Sequence, residues 1–267
     1  MKRPVLCAIG MLSSIPAFAA PQAQQLSFVA CPIMRDTETV PCWLADYEGQ
    51  RYFLVIQIDS RAKVHPPMLG HKALVEGVPT GETFCGGEVL ENVRISVLPE
   101  REPACDVILP ATAEHVVRDA PRGPGPRDKM EVLRAKGLRP PAGARAPKPE
   151  APKPPYEARE FTVYYAFDWQ LAPRDVDTIT QAMQYAKQIA ASRVEIKGYR
   201  ASAKLSNGEY LTEKEFVPRR RAQVLASTLA EIGVDESTIR TSWLDEPLRG
   251  TGQQDWLLRK ATILIVP

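Results

Sequence analysis

The sequence is poor in the residues that most catalytic and metal centres are built from. Three histidines occur in 267 residues, and His65, His71 and His115 are scattered. No Cys-x2-Cys pair and no nearby histidine pair offers the close spacing of a zinc site. No Ser, His or Asp stands in a nucleophile motif, and no pair of carboxylates stands out as a hydrolase pair. Neither an enzyme, a cofactor nor a metal is therefore expected. After the first twenty positions no apolar run reaches the eighteen or more residues of a bilayer-spanning helix, which argues against a membrane-embedded protein. An excess of one charge is missing as well. There are 34 Lys+Arg and 32 Asp+Glu, and without Lys2 and Arg3 the two signs balance. A neutral chain has no field to steer nucleic acid, so nucleic acid is not an expected partner.

The first twenty residues read as an address. Lys2 and Arg3 form a positive start, Val5 to Leu12 is a short apolar run, and Ala17-Phe18-Ala19 is a small-x-small cleavage signal. This pattern predicts a secretory signal peptide over 1–20. A lipoprotein reading fits less well: Cys7 lies inside the apolar run, and Pro21 to Ser27, ahead of Cys31, is too polar for the segment such a signal needs.

The cysteines agree with export. Apart from Cys7, four remain, Cys31, Cys42, Cys85 and Cys105, all in the first half. An even number in an exported segment predicts a disulfide framework with three possible connectivities. Pairing of neighbours, Cys31 with Cys42 and Cys85 with Cys105, is the simplest expectation because short loops close most easily.

The remaining chain divides into three pieces. Residues 21–112 hold short β-type runs, Arg51 to Ile58, Lys72 to Val78, Glu88 to Val97 and Asp106 to Leu109, separated by Gly, Pro and Asp. They predict a small all-β domain, sandwich or barrel, stapled by the disulfides. His65 and His71 lie beside Pro66-Pro67 and Gly70 and read as loop residues. Residues 113–157 read as a Pro-rich linker. The run PPAGARAPKPEAPKPP cannot supply sheet donors or continue a helix, and it favours extended polyproline II. A single helical turn over Glu131 to Lys136 is compatible with the rest of that piece.

Residues 158–267 change character. Phe161, Val163, Tyr165 and Phe167 alternate as a half-buried strand. Val176, Ile179, Met183, Ala186 and Ala190 recur at helical spacing, predicting an amphipathic helix over Pro173 to Ala191. Val194, Ile196 and Gly198 mark a second strand, followed by a long polar loop over Ala201 to Phe216. A second helix carries Ala222, Leu225, Leu229 and Ile232, with Pro218 in its first turn and Gly233 as its stop. A short strand over Thr241 to Trp243 and a closing strand over Ala261 to Val266 complete a βαβαβ two-layer α/β sandwich.

This C-terminal piece resembles the OmpA-like peptidoglycan-associated domain. The features that carry the resemblance are the opening strand ending in Phe-Asp, the Leu171-Ala172-Pro173 step, the strand VEIKGY, the helix RRRAQVLASTLAEIGV at 219–234 and the closing RKATILIV. The resemblance implies an exported, non-enzymatic protein of the cell envelope, located in the periplasm and associated with the outer membrane in the wider reading. Its C-terminal domain would bind peptidoglycan or another envelope polymer, and its N-terminal domain would engage an envelope protein. The alternative is an OmpA-like fold repurposed as a protein-interaction module in an envelope assembly.

In the family an Arg just before a helix Ala pairs with the carboxylate of a diaminopimelate residue, and an Asp after the second strand faces its ammonium. Arg221 stands in the Arg position, and a guanidinium fork suits a carboxylate. The Asp position reads Ala201, within Gly198-Tyr199-Arg200-Ala201. Arg200 replaces a Thr and Lys214 an Asn, so Arg221, Arg200 and Lys214 are the expected ligand-binding residues, with weak or altered specificity. Glu209, Glu213 or Glu215 of the long loop is a candidate substitute carboxylate.

Overall fold

The computed structural model describes residues 25–56, 64–115, 154–170 and 175–267. The signal segment, most of the linker with its Glu131 to Lys136 turn, and the Leu171-Ala172-Pro173 step lie outside the described residues.

Alternating apolar residues build the N-terminal half. Its strands are β1 (Leu26–Ala30), β2 (Pro32–Arg35), β3 (Cys42–Tyr47), β4 (Gln50–Ile56), β5 (His71–Phe84), β6 (Gly87–Arg101) and β7 (Val107–Leu109). They form one seven-stranded sheet in the order β1-β5-β6-β4-β3-β2-β7. Adjacent strands are antiparallel except β4 with β6 and β2 with β7, which are parallel. The sequence suggested a closed barrel or a two-sheet sandwich. The sheet is instead open, with β1 and β7 at its two ends, and the runs Lys72 to Val78 and Glu88 to Val97 are parts of a single long hairpin, β5–β6. Phe28, Trp43, Tyr52, Leu54, Val75, Leu90 and Ile95 form its main buried cluster.

Both disulfides fall in this half, but not between neighbours: Cys31 bonds Cys105 and Cys42 bonds Cys85. Strand order decides the pairing. Parallel pairing of β2 with β7 brings the chain around Cys31 beside Cys105. Cys42 opens β3, and Cys85 sits in the β5–β6 turn with a left-handed φ of 52°. Loop-closure entropy grows only logarithmically with length, about 0.6 kcal/mol per doubling, so the distant pairings cost roughly 2 kcal/mol more in all, and sheet register overrides that.

In the C-terminal half, β8 (Arg159–Tyr164), β9 (Arg193–Gly198), β12 (Ile239–Trp243) and β14 (Lys260–Val266) form a four-stranded sheet in the order β12-β9-β14-β8. The helices Val176–Gln188 and Val217–Glu231 cover one face. Phe161 and Val163 of β8, Val194 and Ile196 of β9, and Ala261, Ile263 and Ile265 of β14 point into this core. They meet Ile179, Ala182 and Ala186 from one helix and Ala222, Leu225 and Leu229 from the other. Gly198 lets the second helix close on the sheet, since a Cβ there would run into the Pro218 carbonyl. Gly233, at φ 96°, ends that helix as expected. Three residues leave the expected apolar stripes: Val176 is 65% exposed at the start of one helix, Ala190 is exposed past that helix's end, and Ile232 lies exposed past the end of the other.

The expected polar loop is also more ordered than its composition implied. It contains a hairpin of β10 (Ala201–Lys204) and β11 (Tyr210–Thr212). This joins the short β13 (Leu248–Arg249) in a three-stranded sheet.

The two halves are packed together. Leu74, Phe167 and Ala203 form a buried cluster flanked by Val29, Leu98, Leu205 and Leu211. Glu76 of β5 and Arg259, each 1% exposed, make a two-pronged ion pair across the same boundary. Arg94 of β6 lies over the Trp256 ring, 3.3 Å from its centre.

Candidate functional site

Arg221 enters the site from the first turns of the helix Val217–Glu231. That end carries Arg219, Arg220 and Arg221 and no acid, against the sense of the helix dipole. Phe216 at the cap contributes no side-chain bond. Arg219 and Arg220 remain exposed, and Arg219 leans over the Trp243 ring. Arg221 turns inward and is fully buried.

Every N–H of the Arg221 guanidinium has an acceptor. Nε donates to the Trp169 carbonyl at 3.0 Å. One terminal nitrogen donates to the Tyr199 carbonyl at 2.7 Å and to Glu213 Oε2 at 2.9 Å. The other donates to the Ala166 carbonyl at 3.2 Å and to Glu213 Oε1 at 2.5 Å. A guanidinium has five such hydrogens, so none is left for another molecule. The ring of Tyr165 lies under the group at 4.7 Å, and burial pushes the Tyr165 hydroxyl up to about 12 although Arg221 pulls the other way.

Glu213 is as completely used as its partner. It is 1% exposed, and each carboxylate oxygen also accepts a backbone amide: Oε1 from Asp168 and Oε2 from Ala201, both at 2.9 Å. A carboxylate gripped by a guanidinium fork and two amides is the geometry of a bound carboxylate ligand. Here the chain supplies that carboxylate itself. Among the loop acids, Glu213 occupies the fork; Glu209 instead accepts from Asn207 at the exposed hairpin tip.

The other expected residues surround this pair without opening it. Ala201, at the position where an acid was expected, is buried, and its amide holds Glu213. Arg200 donates to the Asp245 and Glu213 carbonyls at 2.6 and 3.0 Å, bracing the loop. Lys214 reaches across to the N-terminal half and pairs with Glu100. That contact holds the Glu100 carboxyl below its usual range and lifts Lys214 above its own. Asp168, 8% exposed and left-handed at φ 57°, accepts the Lys214 amide at 2.9 Å. Burial raises its carboxyl above the ordinary range, and nearby Glu213 adds to the effect.

Sequence reasoning missed the buried Glu76–Arg259 pair. The available signal was Glu76 itself, a lone acid inside the apolar run KALVEGV. Among the described residues no group of three or more His, Cys, Asp or Glu side chains could hold a metal, and no helix is long and apolar enough to cross a membrane.

No family model matches the chain, and no curated protein matches it in sequence. Solved structures give a distant match to OmpA-like and MotB-like domains over about 40% of the chain. The OmpA-like domain of FopA1 from Francisella tularensis subsp. tularensis SCHU S4 is 22% identical, with a TM-score of 0.33, and the match covers 41% of this chain and 73% of that one. A putative MotB-like protein from Desulfovibrio vulgaris is 13% identical, with a TM-score of 0.32 and coverage of 41% and 75%. The periplasmic domain of Helicobacter pylori MotB is 14% identical, with a TM-score of 0.26 and coverage of 34% and 62%.

Proposed function

We propose that this chain is an exported, non-catalytic envelope protein whose C-terminal half carries a carboxylate-receiving fork closed by its own Glu213. One observation carries the reading: Glu213 makes the two-pronged, amide-supported contact with Arg221 that a ligand carboxylate would make. Association with peptidoglycan through Arg221 then requires Glu213 to leave. An internal carboxylate competes at a high effective concentration, so the apparent affinity for an external one falls by the fraction of time the fork is open. This supports weak cell-wall association in the closed state.

A second reading is favoured by the complete satisfaction of Arg221. In it the fork is purely structural, and the fold serves as a protein-contact module of an envelope assembly.

Co-sedimentation of the mature chain with purified diaminopimelate-type peptidoglycan separates the two. Glu213→Gln removes the competing charge while keeping an amide oxygen for one backbone donor. Binding should rise about tenfold, the scale of one charge-assisted contact. It should fall back in Glu213→Gln/Arg221→Gln. A folded Glu213→Gln protein that pellets no more than wild type would leave only the protein-contact reading.

A further inference from the structure

Glu213 is not held in the fork by the C-terminal half alone. Its loop is tied to the N-terminal half at three places. At the hairpin tip, Ser206 donates its amide to the Ser27 carbonyl at 2.7 Å, and Ser27 donates its amide to Ser206 Oγ at 2.9 Å. Along the hairpin, Leu205 and Leu211 pack with Val29 and Leu98 in the boundary cluster. Next to Glu213, Lys214 pairs with Glu100 of β6.

The opposite wall of the fork is tied in the same way. Residues 166–169 supply two carbonyls to Arg221 and the Asp168 amide to Glu213. Within that segment Phe167 donates its amide to Ser96 Oγ at 3.0 Å, and the Trp169 indole reaches the Val97 carbonyl at 3.4 Å. β6 therefore grips the wall through Ser96 and Val97 and the latch through Glu100.

We propose that docking of the N-terminal half is what keeps the latch shut, so that its release frees Glu213 and opens the Arg221 fork to an external carboxylate. The inference rests on the self-occupied site proposed above and adds its regulation. The fork and the undocking event are linked, so an external carboxylate would in turn favour the undocked arrangement.

The test uses the full mature chain and phenylglyoxal, which modifies accessible guanidinium groups, with Arg221 followed by mass spectrometry and exposed Arg219 as the internal standard. Val29→Glu puts a charge into the boundary cluster and should speed modification of Arg221 at least about tenfold. Amide exchange at Ser27 and Ser206 reports whether undocking has occurred. Glu100→Lys sets two cations against each other at an exposed pair and should give a smaller rise, about two- to fivefold. Adding Lys214→Glu to Glu100→Lys should return the rate towards wild type, an outcome that general loss of folding would not give. If Val29→Glu or Glu100→Lys exchanges quickly at Ser27 and Ser206 while Arg221 stays as protected as in wild type, the clamp is refuted. If wild-type Arg221 reacts as fast as Arg219, the self-occupied site itself is refuted.

Discussion

Removing the Glu76 carboxylate should do more damage than removing that of Glu213, although both face a buried arginine. The reason lies in what each arginine has left. Glu76 is the only acceptor for the Arg259 side chain among the described residues, and Arg259 Nε is buried without a partner. Glu76→Gln therefore leaves a buried cation with at most one neutral acceptor. Breaking a buried pair in this way costs about 3–5 kcal/mol, or roughly two to three and a half powers of ten in the equilibrium it opposes. Arg221, by contrast, keeps three carbonyl acceptors when Glu213 is changed. Its loss should lie below that range. The pair Glu76→Leu/Arg259→Met removes both charges together, and well-packed apolar replacements of buried pairs are often neutral or stabilising. The double variant should thus be more stable than Glu76→Gln. Urea unfolding of the oxidised chain, followed together with exchange of the Phe167 amide at the boundary, measures both effects. If Glu76→Gln costs under about 1 kcal/mol and the double variant is no better, the pair is not desolvated in solution and the reasoning from its burial fails.

Two further outcomes follow from the same contacts. Trypsin should first cut the Pro-rich stretch between Arg118 and Arg159, since its composition offers little apolar surface to bury. The two fragments should then co-elute from a sizing column, because the Glu76–Arg259 pair and the Leu74–Phe167–Ala203 cluster join them; separate elution without denaturant would refute the packed boundary. Asp168→Asn should raise Tm at pH 7. The raised folded pKa of Asp168 means that its favourable contribution is complete below the unfolded value of about 3.9 and is lost as pH rises through the folded one. Asn keeps an acceptor for the Lys214 amide and tolerates the left-handed backbone, so its advantage should vanish near pH 3; an advantage that persists there would point to backbone propensity instead.

What could be read from the sequence was mostly local. Alternation at Phe161, Val163 and Tyr165, the helix stripe at Ala222, Leu225 and Leu229, and the stop at Gly233 follow from neighbour spacing, and the structure forms those elements. The cysteine count implied a framework, but its connectivity depends on the β2–β7 and β5–β6 registers, which no local pattern encodes. The hairpin β10–β11 was hidden because its buried residues do not alternate as apolar and polar: Ala201, Ser202 and Ala203 are all buried, and each is too small or too polar to mark a strand. Arg221 was identifiable as a special position. Which carboxylate it met was not, because Glu209, Glu213 and Glu215 differ only in where the hairpin aims them.

Position 201 shows why a resemblance in sequence does not carry over as chemistry. Read from the motif, Ala201→Asp would restore the acid that faces a ligand's ammonium. In the structure Ala201 is buried and its amide supports Glu213. An acid there would be buried at a residue whose amide already serves the Glu213 carboxylate. A carboxylate without its own partner in a buried site is strongly unfavourable, and a second carboxylate near Glu213 adds like-charge repulsion. The substitution therefore acts first on the latch, by pushing against Glu213, and only then on any ligand. With Glu213 seated on Arg221, the role of position 201 in this structure is its backbone amide, and a small buried side chain leaves that contact undisturbed.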